Sequence, residues 1–471
     1  MSELNLDLIL QSTQGRCLNL TQNTFKGFGT DTRKNLSGKL FIALKGEAFD
    51  GHDYLIQAAQ AGAAGLLVHR LPNPLPVELS QLTVIEVSDT LLALQALGHG
   101  FRNKSKAKIL GLTGSNGKTS TKEFAAQIIE TQKQVHWSQG SFNNHWGVPF
   151  SLMDLKPKHE VALIEMGMNH AGEIKRLVEI ADPDVVVCTM VGRAHIEFFG
   201  TQEKIALAKQ EIYLHSRSNA LAIFNLDNSF TYQMWEQDQK LNPHRPRLTF
   251  SETKKSDVQM QLIKADFNGL QLKGEIQGIS GEVLVSIFGQ HNITNLLAAS
   301  SLALAAGLSP EQIWQGLTKC KSHWGRNQKV QLKSGAVALF DAYNANPDSM
   351  EALIKNIKDI PAPRKIGVFG QMKELGELSS QFHEQLGRTV ASAQFEKVFF
   401  YGDDHASFTR GLEAGGHKGD SYIAPEFSES LAKNLSKDLK SGDFVAFKAS
   451  RGLRLERMLM ACEPLDFSEK Y

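Results

Sequence analysis

The chain has 471 residues, with 51 Lys and Arg against 50 Asp and Glu, so its formal net charge of +1 gives no overall attraction to nucleic acid or to a membrane surface. At ~150 residues per domain this length predicts about three domains, each able to bury its own core. Cys17, Cys188, Cys320 and Cys462 lie far apart without CxxC or Cys/His spacing, which argues against zinc and against a disulfide framework and fits a reduced, cytosolic compartment. The N-terminus lacks the basic and apolar regions of a signal peptide, and the longest uncharged apolar run, Leu296 to Leu308, is shorter than the ~20 residues a bilayer requires, so no membrane insertion is expected.

Residues 1–104 alternate short strands (Leu40 to Leu44, Ala64 to Val68) with a helix over Tyr54 to Ala61, which reads as a small α/β domain. Its turns Asp31-Thr32-Arg33 and Gly51-His52-Asp53 suit either a ligand loop or simple capping. The run Leu71 to Pro76 is a proline-rich loop, and Phe101 to Lys108 reads as a linker.

Residues 105–324 form the second predicted domain. Ile109-Leu-Gly-Leu-Thr-Gly-Ser-Asn-Gly-Lys-Thr-Ser120 reads as a buried strand, a phosphate-holding loop and a helix from Lys118 to Glu130. Gly114 and Gly117 let backbone N–H groups approach an anion, Lys118 adds charge and Thr119 a hydroxyl for magnesium, although Leu112 stands where the strict GxxxxGK[ST] pattern has its first glycine. The alternative is a Gly-rich turn before an ordinary helix. Val161 to Ile164, Val185 to Cys188 and Leu221 to Phe224 are continuous apolar runs, as expected of parallel strands covered on both faces. Glu165 then falls at the ligand edge as a candidate magnesium ligand, with His195 on the same rim, and each has a bland reading as a cap or loop residue. Thr201 suits the cap of a helix on which Lys209 shares a face with Ile205, Ile212 and Tyr213, so it either snorkels or is buried with a task. Ser256 to Phe288 alternates like an antiparallel extension, and the helix after Gly289 opens with Asn292 and Asn295, placed to read a purine edge or to cap.

Residues 325–471 form the third predicted domain, with strands at Ala336 to Phe340, Lys365 to Phe369, Lys397 to Tyr401 and Phe444 to Phe447. Polar loops at their ends (341–347, 370–376, 402–405, 448–451) make a second ligand rim, with Asn346 and Pro347 opening a helix.

Thr113-Gly-Ser-Asn-Gly-Lys-Thr119, Phe142-Asn-Asn-His-Trp-Gly-Val-Pro149, Glu165-Met-Gly, Ala194-His195, Ala208-Lys209, Gly289-Gln-His-Asn292 and Asp341-Ala-Tyr-Asn-Ala-Asn-Pro347 together resemble the Mur ligase family, whose own loop spacing accounts for Leu112. The resemblance implies a central P-loop domain flanked by a small N-terminal α/β domain and a C-terminal Rossmann-like domain. It implies an ATP-dependent amide ligase, monomeric and cytoplasmic, joining D-alanyl-D-alanine to a UDP-N-acetylmuramoyl-tripeptide through an acyl phosphate. Sister ligases adding one amino acid and folate polyglutamylating ligases share the ATP domain, whereas a GTP switch would need an Asn-Lys-x-Asp motif that we do not find.

By that resemblance Gly114, Ser115, Asn116, Gly117, Lys118, Thr119 and Ser120 hold the ATP phosphates, and Asn292, Asn295, Arg326 and Asp341 hold the rest of the nucleotide. Two magnesium ions are held by Thr119, Glu165, His195 and a carbamylated Lys209. Thr32 and Arg33 take the UDP end, Asn143 and Asn144 line the substrate channel, and Tyr343, Asn344, Asn346, Lys448 and Arg451 meet substrate from the third domain, which closes about His323 to Arg326. Ala449 stands where members commonly have glycine.

Overall fold

The protein is described here from a computed structural model covering residues 4–358 and 360–468. Among these residues the strands form three main sheets of five, nine and six strands, besides a two-stranded ribbon.

The chain opens with β1 (Leu4–Asn5), α1 (Leu6–Thr13), β2 (Arg16–Asn19), β3 (Thr24–Phe25), β4 (Phe28–Gly29), β5 (Leu40–Ile42), α2 (Leu55–Gln60), β6 (Gly65–Val68), β7 (Thr83–Glu86) and α3 (Thr90–Lys104). Strands β4 to β7 are parallel, β2 lies antiparallel on the edge of β7, and β1 and β3 make the ribbon. Leu40, Ile42, Leu66 and Leu67 are fully buried, as a sheet covered on both faces demands. The expected linker at 101–108 is corrected: residues 101–104 are the last turn of α3, anchored by Arg102, whose Nε donates to the carbonyls of Ala181 and Asp182. A lysine- and asparagine-rich stretch looked unstructured because its one buried arginine is held by distant backbone.

The central sheet contains β8 (Lys108–Thr113), β9 (Val135–Trp137), β10 (Val161–Glu165), β11 (Val185–Cys188), β12 (Leu221–Asn225), β13 (Arg247–Ser251), β14 (Val258–Asp266), β15 (Gly269–Ile276) and β16 (Ile279–Val285). Its order is β16-β15-β14-β13-β12-β11-β8-β10-β9, parallel from β9 through β14 and antiparallel beyond, as the alternation at 256–288 predicts. Helices α4 (Lys118–Glu130), α10 (Asn292–Ala305) and α11 (Pro310–Leu317) cover one face. Helices α5 (Gly147–Met153), α6 (Glu173–Ala181), α7 (Ile196–Phe199) and α8 (Gln202–Leu214) lie on the other, with α9 (Ser229–Leu241) packed beside α8 and β12. Strand β8 is flanked by β10 on one side and β11 on the other, so the loop after it opens into the crevice where such sheets take ligands.

The third sheet has the order β17-β18-β22-β19-β20-β21, from β17 (Gln328–Gln331), β18 (Val337–Phe340), β19 (Lys365–Gly370), β20 (Lys397–Tyr401), β21 (Asp420–Ala424) and β22 (Phe444–Lys448). All its pairs are parallel except β17 with β18. Helix α12 (Pro347–Lys358) starts at Pro347, and Asn346 Oδ1 accepts from Ser349 N, as the sequence predicts. Helices α13 (Ser379–Ser392), α14 (His405–Ala414), α15 (Glu429–Ser436) and α16 (Glu456–Met460) complete this part. Among the described residues no helix is long and apolar enough to cross a membrane, and the four cysteines are free thiols.

Tyr213 fastens α8 to the central sheet: its buried hydroxyl accepts from Cys188 N at 2.9 Å and donates to Ile223 O at 2.7 Å. Tyr213→Phe leaves two buried backbone groups without that partner, so the urea midpoint falls by the equivalent of ~1–3 kcal/mol at unchanged m-value.

Candidate active site

The loop after β8 needs its glycines. Gly114 (φ +151°) and Gly117 (φ +81°) take left-handed backbone, and a Cβ on them would fall 1.9 Å from Thr189 Oγ1 and 2.0 Å from Asn295 Oδ1. The loop is cinched from outside: Ser115 N donates to Met190 O (2.9 Å), Ser115 Oγ to Gly192 O (3.2 Å) and Thr189 Oγ1 to Asn116 O (2.7 Å). Helix α4 starts at Lys118, so its positive end faces the loop, with Ser120 in its first turn. Lys118 curls back and donates from Nζ to Gly114 O at 2.7 Å, closing the loop on itself. Burial lowers the pKa of Lys118, against the raising effect of Glu165.

Glu165 ends β10, beside that loop and almost fully buried. Its Oε1 accepts from Asn143 Nδ2 (2.8 Å) and Thr119 Oγ1 (3.3 Å); its Oε2 has no hydrogen bond and faces Lys122 Nζ at 3.4 Å. Burial alone would raise this carboxyl's pKa, but the charges of Lys122 and Lys118, the Asn143 amide and Arg326 outweigh it and hold it below the ordinary value. Lys209 is fully buried, and its Nζ has no hydrogen-bond partner. Burial, with the like charge of Lys118 added, brings its pKa down to about 7. Of the two readings of this lysine, snorkelling is therefore set aside. His195 adopts left-handed backbone (φ +64°), and its Nδ1 lies 2.8 Å from Glu374 Oε2; burial lowers its pKa while Glu374 opposes that.

The third sheet's loops lie directly on this edge. Arg326 Nη2 donates to Thr119 Oγ1 (3.3 Å), and its guanidinium stands 4.3 Å from the centre of the Tyr343 ring. Asn346 Nδ2 donates to Asn116 Oδ1 (2.7 Å), Tyr343 and Ser141 share a hydroxyl hydrogen bond of 2.5 Å, and Arg193 Nε meets Asp348 Oδ1 at 2.6 Å. Lys448 and Asp341 form a buried pair at 2.6 Å, with Lys448 also donating to Asn344 O. The short stretch 323–326 that connects the two parts thus begins at a seam already formed.

Several expected contacts are made differently. Asn143 reaches Glu165 rather than open channel, while Asn144 Oδ1 accepts from Trp146 N and Gly147 N at the start of α5, a capping role. Asn292 does not cap with its side chain: its Nδ2 donates to Phe288 O and its Oδ1 accepts from Asn295 Nδ2, so both amides are engaged with the protein. Arg33 is exposed and bonded to Asp31 beside Thr32, and Arg451 pairs with Glu456. Ala449 is fully buried, and Gly370 makes room for it, since a Cβ there would fall 2.9 Å from the Ala449 Cβ. Sequence reasoning missed Lys122, Thr189 and Glu374. Of these only Lys122 left a local signal, one helical turn beyond Lys118.

Among the described residues no three His, Cys, Asp or Glu side chains form a metal cage. Thr119 and the hydrogen-bond-free Glu165 Oε2 nevertheless suit magnesium, which keeps water and phosphate oxygens as most of its ligands.

Comparison with known proteins decides the family. Residues 24–102 match the Mur ligase family catalytic domain, 112–303 the Mur ligase middle domain and 325–451 the Mur ligase glutamate ligase domain. The UDP-N-acetylmuramoyl-tripeptide–D-alanyl-D-alanine ligase of Bacillus subtilis (strain 168) is 34% identical over 93% of both chains. The chain belongs to the Mur ligase family. The enzyme of the same name from Escherichia coli (strain K12) is 36% identical over 84% of this Mur ligase and 86% of its own length. The crystal structure of MurF from Acinetobacter baumannii superposes with a TM-score of 0.87, at 30% identity and 98% coverage of each chain. MurF from Thermotoga maritima, solved in complex with ADP, gives a TM-score of 0.76 at 29% identity, covering 92% of this chain and 96% of its own.

The lowered pKa of Lys209 in this Mur ligase has a stability consequence. Between about 7 and the ordinary 10.5 the unfolded chain holds a proton that the folded chain has shed, so this group makes stability rise with pH across that window. Lys209→Met, in bicarbonate-free buffer, should gain most over wild type at about pH 6 and progressively less toward about pH 10, read from urea midpoints.

Proposed function

We propose that this Mur ligase joins D-alanyl-D-alanine to a UDP-N-acetylmuramoyl-tripeptide with ATP as the activating reagent, in the cytoplasmic assembly of the cell-wall precursor. One observation carries the reading: Glu165 joins the cation-rich loop of Lys118 and Thr119 to the Asn143 segment, accepting from both Thr119 Oγ1 and Asn143 Nδ2. The names of the 34–36% identical relatives support the choice of substrates.

A carboxylate is a poor electrophile until one oxygen is converted to a leaving group. An oxygen of the tripeptide's terminal carboxylate attacks the γ-phosphorus, ADP departs, and an acyl phosphate forms. The dipeptide amine then attacks the acyl carbon, loses a proton, and the carbon–oxygen bond to phosphate breaks. Lys118, swung from Gly114 O to the phosphoryl oxygens, and Arg326 beside Thr119 stabilise the charge that spreads over the transferring group. Magnesium, when bound, adds Lewis-acid charge at those oxygens. Thr119, Glu165, His195 and a carbamylated Lys209 are the residues that would hold two such ions. The seam of Asn346 on Asn116 and Asp348 on Arg193 keeps water from the acyl phosphate. Asn292, Asn295 and Asp341 serve adenine and ribose, Thr32 and Arg33 the UDP end, and Asn344, Lys448 and Arg451 the incoming dipeptide.

Lys209 is suited to carbamylation because its neutral amine is accessible near physiological pH. The amine nitrogen bonds to carbon dioxide and loses a proton, leaving an anionic oxygen ligand where a bare amine finds no partner.

Phosphate release should require ATP, UDP-N-acetylmuramoyl-tripeptide and D-alanyl-D-alanine together; release with a single amino acid in place of the dipeptide would point to a sister ligase. Lys118→Ala should lower turnover by ~10²-fold or more with the fold retained, measured by phosphate release alongside thermal melting. Lys209→Ala should lose activity and recover part of it in a small carboxylate such as formate, and a carbon-13 carbamate resonance should appear in wild type but not in the variant.

A further inference from the structure

Lys122 is fully buried, lies one turn beyond Lys118 on α4, and takes no part in the chemistry above. Its Nζ donates to Ser138 O at 2.6 Å and Gly140 O at 2.7 Å, and stands 3.4 Å from Glu165 Oε2 and 3.6 Å from Glu123 Oε1. Those two carbonyls begin the irregular segment between β9 and α5, whose middle has little apolar anchorage of its own: Phe142 is 56% exposed. Trp146 at its far end packs on the N-terminal core and edge-on to Phe49, while its middle is tied by polar contacts. Asn143 Nδ2 holds Glu165 Oε1, Asn143 O accepts from Gly167 N at 2.7 Å, and Ser141 meets Tyr343.

A lysine buried in this way carries a desolvation cost that a methionine of similar shape would avoid, so packing does not explain its presence. What distinguishes Lys122 from a methionine is that one atom reaches three things at once: the root of the peptide-side segment, the carboxylate at the phosphate loop, and the helix that carries Lys118 and Thr119.

We infer that Lys122 is a positioning residue that couples the peptide site to the nucleotide site, setting the 138–144 segment, and with it Asn143, at a fixed place relative to the phosphate loop. The inference rests on the ligase reading proposed above. Binding of nucleotide stiffens α4 and Glu165, Lys122 transmits that to the Ser138 and Gly140 carbonyls, and the tripeptide meets a segment already in place. Coupling of this kind is reciprocal in the two affinities.

The test is calorimetric binding of UDP-N-acetylmuramoyl-tripeptide with and without a non-hydrolysable ATP analogue and magnesium, on wild type, Lys122→Met and Lys122→Arg. Lys122→Met should bind the analogue within about threefold of wild type, bind the tripeptide at least about tenfold more weakly, and lose the tightening that the analogue confers. Lys122→Arg, which keeps a donor but places it differently, should recover part of both. Adding Asn143→Ala to Lys122→Met should cost little further tripeptide affinity, since both act through one segment. Unchanged tripeptide affinity and unchanged coupling in Lys122→Met would overturn the inference, as would parallel loss of both ligands tracking a lowered melting temperature. Should Lys122→Met not fold, Lys122→Arg decides: wild-type coupling in it overturns the proposal, and reduced coupling with retained analogue binding supports it. Wild-type protein that releases no phosphate with the full substrate set would instead remove the ligase reading, independently of either variant.

Discussion

An imbalance of charge governs the carboxyl edge of the central sheet. Lys118, Lys122, Lys209 and Arg326 converge there, against the carboxylates of Glu165, of Glu123 beside Lys122 and, from the third sheet, of Glu374. With solvent excluded, such an excess is costly unless an anion fills it, and polyphosphate is an anion of the right charge and shape. The same imbalance explains why Glu165 stays ionised in a place where burial favours its neutral form, and why Lys209 moves the other way: it has cationic company and no carboxylate in reach.

The seam between the central and third sheets follows from this edge. Polar contacts cross it from Asn346 to Asn116, Arg326 to Thr119, Tyr343 to Ser141 and Asp348 to Arg193, and again where His291 meets Asn327 and Asn356. Apolar contact continues across it further back, where Phe267 lies tilted against Phe288 and edge-on to Phe444, with ring centres 6.0 and 5.7 Å away. His195 and Glu374, both with left-handed backbone (φ +64° each), face one another across the joint.

Buried glycines and their neighbours show how local departures are absorbed. Ala449 adds a methyl where the family commonly has none, and the space comes from Gly370 on the adjacent strand end, which leaves Ser450 free to donate from its hydroxyl to Ala345 O. Lys448, next to Ala449 in the chain, donates to Asp341 Oδ2 and to Asn344 O.

Sequence alone determined the elements that depend on local pattern. Continuous apolar runs marked β10, β11 and β12, the Gly-Ser-Asn-Gly-Lys-Thr loop marked the turn into α4, and Thr201 and Asn346 marked helix starts, whereas the apolar companions of Lys209 left snorkelling and burial both open until the structure showed it buried. Motifs spread over the chain carried the family as well. Tertiary structure decided which distant groups meet. Whether Asn143 points to a channel or to Glu165, whether Asn144 binds or caps, and what lies beneath Lys122 depend on β10 being inserted between β8 and β9, an order that no local periodicity encodes. Glu374 and His195 lie in different predicted domains, and only the docking of the third sheet's loops on the central rim brings them to 2.8 Å. The physical reason is one of range: backbone pattern reports forces within a few residues, while a charge cluster is assembled by strand order and domain contact.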